Sequence, residues 1–469
     1  MSETSSLFGL LRNSVEPGVA EAIEGLVKDG SDRDLCRLNA LAFAAKRGLG
    51  EESTIAGFLH AASIGLFDIS WNVLCPGCGG VLDSNATLKT VAGSEYVCSL
   101  CAEGYSPTLD EMVEVTFTVS PRVRRIAAHT PDDLPLIEYL RQLYWGSGVD
   151  LPEEGYEALI ESMVVEDVEV APGEKVVLSL QLPAEFIIVF EVVTHAVQFI
   201  DVKGEPTKER QNLSLVYDRG HVDNQTLEMR PGPVRISIEN RTEGRVLPAV
   251  LIAGDALHDL LAKRRPFLTA NRLLSNQTFR DLYRTDTVAV DQRLKITSLT
   301  FLFTDLRGST ELYERVGDLT AFDMVRSHFQ VLQDIVASEA GAVVKTIGDA
   351  VMATFPSPDR AVAAALRMRE AMQALNEKSG RQDFLLKIGV HEGPCIAVMM
   401  NDRQDYFGQT VNIASRVQGL ATAQSIFVTS SVMDNKNSAG ILEARSLKPV
   451  SQDRNLRGIE REVRVYAIP

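Results

Sequence analysis

Three short stretches hold residue types whose spacing suits phosphate chemistry. In "AGAVVKTIGDAVMATFP" (residues 340–356), two apolar runs flank a turn that carries Lys345, Gly348 and Asp349. In "FTDLRGST", Asp305 ends an apolar strand just before Gly308 and the start of a helix. In "DYFGQTVNIASRV", Asp405 precedes a helix on which Asn412 and Arg416, four apart, share one face. Two carboxylates with few other ligands suit Mg²⁺, which keeps open positions for phosphate oxygens. The backbone N–H groups of Leu306, Arg307, Gly308, Ser309 and Thr310 open a helix and can cradle a phosphate. Each feature has a plainer reading on its own. A single Asp at a strand end caps a helix, and an Asn–Arg pair can serve a neighbouring carboxylate.

A fourth constellation lies far upstream. Cys75 and Cys78, then Cys98 and Cys101, form two Cys-x-x-Cys turns separated by 19 residues. Each turn aims two sulfurs at one point, and two such turns complete a tetrahedral thiolate site for Zn²⁺. Four thiolates fill the coordination sphere, so the site is expected to be structural. Cys36 and Cys395 stand alone in apolar surroundings and read as core.

The elements that must position these residues follow from periodicity. Residues 1–66 read as a small helical bundle, with segments 15–30, 32–48 and 52–65 each spaced for a helix and ending at Gly. Residues 67–110 carry the cysteines and read as a zinc ribbon. Residues 111–253 alternate like strands and read as an antiparallel β-sandwich, with a helix in "LPLIEYLRQLYWG". Residues 254–296 read as a helical connector whose basic cluster, Lys263, Arg264 and Arg265, is expected to be a solvated face. From 297 to 469 the order is strand, helix, hairpin, helix, strand, which suggests an α+β sandwich of the ferredoxin-like type. Its first long helix is expected to bury Phe322, Val325, Phe329, Leu332 and Val336.

The bulk numbers bound the function. The 469 residues carry a net charge of −16, with 45% hydrophobic and 23% charged residues. A folded chain of several domains is expected. The acidic balance argues against a nucleic-acid binder, which needs a basic face. The N-terminus lacks a secretory pattern and no apolar run is long enough to span a bilayer, so a cytoplasmic location with reduced cysteines and no transmembrane segment is expected.

Together, "FTDLRGST", "KTIGDAVMATF" and "DYFGQTVNIASRV" resemble the catalytic domain of class III nucleotidyl cyclases over about residues 297–469. The Cys-rich region and its sandwich resemble an uncharacterised module found ahead of some bacterial cyclases. The first resemblance implies roles residue by residue. Asp305 and Asp349 match the two metal-binding aspartates, with the Leu306 backbone beside them, and two Mg²⁺ or Mn²⁺ are implied per site. Lys345 and Asp405 match the pair that reads the purine. Asn412 matches the residue that orients the ribose, and Arg416 the one that stabilises the transition state. Arg457 falls where relatives use Lys for the triphosphate. Ser309 replaces a common Phe, and Pro394 falls where some relatives hold a phosphate-binding Arg.

The implied enzyme is a homodimeric adenylate cyclase acting on ATP, with an unidentified ligand or protein acting on the N-terminal half. Guanylate cyclase, or a catalytically silent protein that uses the fold to dimerise, are the alternatives. The types of Lys345 and Asp405 oppose the first, and the presence of all six site residues opposes the second.

Overall fold

The computed structural model describes residues 3–93, 95–218, 225–283, 293–308, 314–379, 385–400, 403–422 and 425–469. They divide into two compact units. One comprises Met1–Ala86, Thr90–Pro107 and Met112–Leu268; the other comprises Thr87–Lys89, Thr108–Glu111 and Thr269–Pro469.

In the first unit, helices Glu3–Ser14, Pro17–Asp29, Ala40–Arg47 and Glu51–Ser63 surround an aromatic cluster. Phe58 meets Phe43, Phe67 and Phe117 with ring centroids 5.2–5.3 Å apart. The expected helix over 32–48 begins only at Ala40. Asn39 caps it by accepting from the Leu41 and Ala42 N–H groups, while Leu38 bridges to Phe117 as a strand would.

Strand Phe67–Leu74 pairs with Val81–Asn85 and with Val113–Val119. Residues 113–119, expected within the sandwich, thus belong to a separate sheet beside the cysteine turns. The sandwich packs Lys175–Leu182, Gly232–Asn240 and Gln211–Tyr217 against a five-stranded sheet. Ile187 and Val189 face the other sheet, while Ile188 and Phe190 alternate to the opposite side, toward Cys75, Cys78 and Trp145. Its pairs are not all antiparallel. Between Gln211–Tyr217 and Gly232–Asn240 the chain crosses to the other sheet as Leu227–Met229, so it returns in the same direction and the two strands pair in parallel.

The second unit begins with two short helices, the second being α1 (Gln277–Leu282). Then come strand β1 (Leu294–Leu306), helix α2 (Asp318–Ser338), hairpin β2 (Ala342–Ile347) and β3 (Ala350–Phe355), helix α3 (Pro358–Ser379) and strand β4 (Leu386–Met400). The sheet order β2-β3-β1-β4, with antiparallel neighbours, is the ferredoxin-like arrangement. Strand β5 (Arg403–Phe407) pairs with the far half of β4, and helix α4 (Gln409–Leu420) follows. Strand β6 (Ile426–Thr429), β7 (Val450–Arg454) and β8 (Val463–Ile468) extend the other edge.

Helices α2 and α3 cover one face, with Leu332, Val336, Ala365 and Met368 on Leu302, Leu306 and Phe355. Helix α4 covers the other face, where Ile413 and Val417 meet Phe427 and Val465. It lies close because residue 389 is Gly: a Cβ there would stand 2.1 Å from the Gln418 backbone nitrogen. Contrary to the spacing of α2, Phe322 is 58% exposed and Leu319 85% exposed. The main core packs on α2 only from Met324 onward, with a small cluster at Ala321 and Val325, so the first turn overhangs it.

Candidate active site

The two acidic residues leave the same end of the sheet. Thr304 on β1 pairs with Val351 on β3, so the next residue on β1, Asp305, lies level with the turn that carries Asp349. That turn is possible because Gly348 takes φ +64°. Asp349 Oδ2 is buried and has no hydrogen-bond partner. Such an oxygen is costly unless a cation or donor arrives, so this donor set fits a hard divalent ion.

Asp305 Oδ2 lies 3.5 Å from Lys387 Nζ, directly across the β1–β4 ladder. Sequence reasoning missed Lys387, although a lone Lys in the apolar run "FLLKIGV" was the signal. Behind Asp349, burial pushes the His328 imidazole down to about 4, partly opposed by the Asp349 charge.

Lys345 and Asp405 are joined directly by an ion pair between Nζ and Oδ2. A register slip between Val343 and Lys345 breaks the β2 alternation, and residues 345–347 all stand exposed. Asp405 is held on β5, opposite Val398, and accepts from the Tyr406 N–H at 2.9 Å.

Helix α4 buries Ile413, Ala414 and Val417 and leaves Asn412 and Arg416 exposed. Its start is tied by Thr410 Oγ1, which donates to the Pro394 carbonyl at 2.6 Å. Arg416 lies against the loop of Arg457, since a Cβ on Gly458 would stand 3.8 Å from its Nη2. Among the described residues, no hydrogen bond or ion pair joins Asp305 or Asp349 to Lys345, Asp405, Asn412 or Arg416.

Part of the expected phosphate cradle is engaged in the sheet. The Arg307 N–H donates to the Leu385 carbonyl at 2.9 Å, which continues the strand ladder, and the Leu306 side chain is in the core. The chain turns at Gly308, φ +75°. Ser309 and Thr310 lie outside the described residues.

The four cysteines do converge. Cys75 and Cys101 sulfurs are 3.6 Å apart, Cys78 and Cys98 are 3.7 Å apart, and all four lie within 4.8 Å of one another. A tetrahedral ion with bonds of about 2.3 Å needs sulfurs about 3.8 Å apart. The Cys78 N–H points at the Cys75 sulfur and the Gly80 N–H at the Cys78 sulfur, at 3.5 and 3.4 Å. Those donors favour thiolate over thiol.

The basic cluster nearby is not simply a solvated face. Arg264 donates to the Gly77 and Cys78 carbonyls at 2.7 and 3.1 Å, because the cysteine turn leaves those carbonyls without ladder partners. His195, in the sandwich, is half-buried against Tyr144, and desolvation pushes it down to about 4.

Comparison with known proteins divides the chain a little later than the two compact units do. Residues 1–281 match the family of unknown function (DUF5939), and residues 292–468 match the adenylate and guanylate cyclase catalytic domain. An adenylate cyclase of Anabaena cylindrica is 28% identical over 185 residues, covering 36% of this chain and 36% of that protein. The pH-sensitive adenylate cyclase MT1302 of Mycobacterium tuberculosis is 27% identical over 247 residues, covering 51% of this chain and 56% of that protein. The chain thus spans from about a third to just over half the length of these relatives. The crystal structure of the adenylyl cyclase CyaB from P. aeruginosa aligns with a TM-score of 0.34 at 23% identity, covering 38% of this chain and 96% of that one. No helix among the described residues is long and apolar enough to cross a membrane.

Proposed function

We propose that this chain, which belongs to the family of unknown function (DUF5939) and carries a nucleotidyl cyclase catalytic domain, converts ATP to 3′,5′-cyclic AMP and pyrophosphate. The observation that carries the choice of purine is the Lys345–Asp405 pair. Adenine presents an acceptor at N1 and a donor at N6, which an ammonium and a carboxylate satisfy. Guanine reverses both. Each buried mismatch costs about 1–3 kcal/mol, so two mismatches favour ATP by roughly a hundredfold or more.

Asp305 and Asp349 would hold Mg²⁺ or Mn²⁺, consistent with the unpartnered buried oxygen of Asp349. Bound there, the divalent ions supply Lewis-acid charge to the ribose 3′-hydroxyl and the phosphates. Asn412 orients the ribose so that its 3′-oxygen faces the α-phosphate. Arg416 lends charge to the α-phosphate oxygens as the pyrophosphate leaves. Arg457, beside Arg416, and the Gly308 turn bind the outer phosphates, with Leu306 and Arg307 setting the approach to that turn. Most of the rate then comes from positioning and fixed charge.

A complete site takes Asp305 and Asp349 from one chain and the other four residues from a second copy. The exposed apolar side chains Leu319, Phe322, Ile347 and Phe407 favour this. The four cysteines would hold a structural Zn²⁺ in a cytoplasmic, regulatory N-terminal half whose ligand or partner protein is a separate question.

Turnover of ATP and of GTP by the purified chain, with Mg²⁺ and with Mn²⁺, tests the reading when products are identified by mass. Cyclic AMP that disappears in Asp349→Ala supports it. Cyclic GMP as the main product would mean a guanylate cyclase, and no product even from residues 297–469 alone would favour a silent dimerisation module.

A further inference from the structure

Helix α1 falls almost wholly within the stretch matched by the N-terminal family, yet it is part of the cyclase unit. Asn276 fixes its first turn by accepting from the Phe279 N–H at 3.1 Å, and Phe279 is buried. This anchoring turns two polar side chains toward the sheet. Gln277 Oε1 accepts from the Val343 N–H at 2.9 Å. Arg280 Nη2 donates to the Gln404 carbonyl at 3.0 Å and to the Val344 carbonyl at 3.4 Å.

These contacts fall at a weak point of the sheet. The β2–β3 register slips between Val343 and Lys345, so Val344 stands outside the ladder. Side chains of α1 take over the backbone groups that flank the slip. Val344 and Gln404 are also the residues immediately before Lys345 and Asp405. One guanidinium therefore bridges the two backbones that carry the ion pair.

We infer that Arg280 is the positioning residue of the purine-reading pair: it holds β2 and β5 in the register at which Lys345 and Asp405 meet one base edge, and so sets nucleotide selectivity without touching the nucleotide. The inference rests on the proposed reading of that pair. Its physical basis is that a planar guanidinium can serve two carbonyls at fixed angles, whereas a carbonyl left unpaired lets its strand shift.

The test uses the full-length chain and measures kcat and KM for ATP and for GTP in the wild type, Arg280→Ala and Arg280→Lys, with thermal melts to verify folding. Arg280→Ala is expected to lower the ATP:GTP ratio of kcat/KM about tenfold, mainly through a higher KM for ATP. Arg280→Lys, which keeps the charge and can reach one carbonyl, is expected to fall between. A folded Arg280→Ala with the wild-type ratio and KM overturns the inference. Should that variant not fold, Arg280→Gln, which keeps one N–H₂ donor, is read by the same two criteria. If the wild type turns over neither nucleotide, binding of fluorescent ATP and GTP analogues replaces the kinetics. ATP-selective binding lost in the variant then supports the inference while the proposed activity fails, and retained selectivity overturns it. A wild type that prefers neither nucleotide sinks the purine reading and this inference together.

Discussion

Lys345 and Asp405, 60 residues apart, form an ion pair in which the Asp405 side chain is 13% exposed and the Lys345 side chain 42% exposed. In the proposed reading, a nucleotide base entering between them would replace each partner's existing bond with a new one, so the pair would be satisfied both before and after binding. The more buried member has more to lose when its partner is removed.

Removing Lys345 is therefore expected to act on binding first. Lys345→Ala should raise the KM for ATP by at least tenfold, with a smaller effect on GTP, because guanine gains nothing from an ammonium at N1. Steady-state kinetics with both nucleotides checks this. An equal loss for both would assign Lys345 to the phosphates instead of the base.

Asp349→Asn should separate activity from stability. The substitution removes charge from a carboxylate whose Oδ2 is buried and unpartnered. Turnover is expected to drop by roughly a hundredfold or more with loss of the proposed metal ligand. The melting temperature in metal-free buffer should hold or rise, since a buried unpaired charge is relieved. A large fall in melting temperature would show that Asp349 serves the fold.

Asp305→Ala and Arg416→Ala are each expected to be inactive alone and to regain activity when mixed. If the site is shared as proposed, the mixture restores one heterodimeric site with Asp305 from one chain and Arg416 from the other. Differently tagged copies verify pairing, and mixed dimers that stay inactive would rule out the shared site.

The thiolate cluster should bind one Zn²⁺ per chain, measured by elemental analysis. Stripping it with a strong chelator is expected to lower the melting temperature, because metal binding is coupled to folding. Arg264→Ala, which frees the Gly77 and Cys78 carbonyls, should weaken zinc affinity about tenfold. Unchanged affinity would leave Arg264 as a packing residue.

Stability should fall on acidification between about pH 6.5 and 4. His195, His328 and His391 are each pushed down to about 4, in every case first by burial. In that window the unfolded chain binds protons that the folded chain refuses, so stability rises with pH and is lost as pH falls through it. Urea midpoints at pH 7 and pH 5 check the sign, and replacing His391 with Gln should flatten the slope.

The residue types and spacings of this chain by themselves carried the chemistry proposed for it. Asp305, Lys345, Asp349, Asp405, Asn412 and Arg416 stand in three local motifs, and two Cys-x-x-Cys turns carry their own geometry within four residues each. Strand alternation and helix spacing are also local, which is why the order of elements in residues 297–469 was legible. The spacing of α2 nevertheless put Phe322 inside, because periodicity describes a face and not where the neighbouring sheet ends. Tertiary structure alone decided what depends on segments far apart in sequence. It set Lys387 across from Asp305, turned Arg264 onto the first cysteine turn, and placed Arg280 against the β2 slip, whereas the resemblance had already named Lys345 and Asp405 as a pair. No sequence window contains both partners of such a contact. Each arises because a backbone group or carboxylate left unpaired by one element is costly to bury, and another element supplies the missing donor or acceptor.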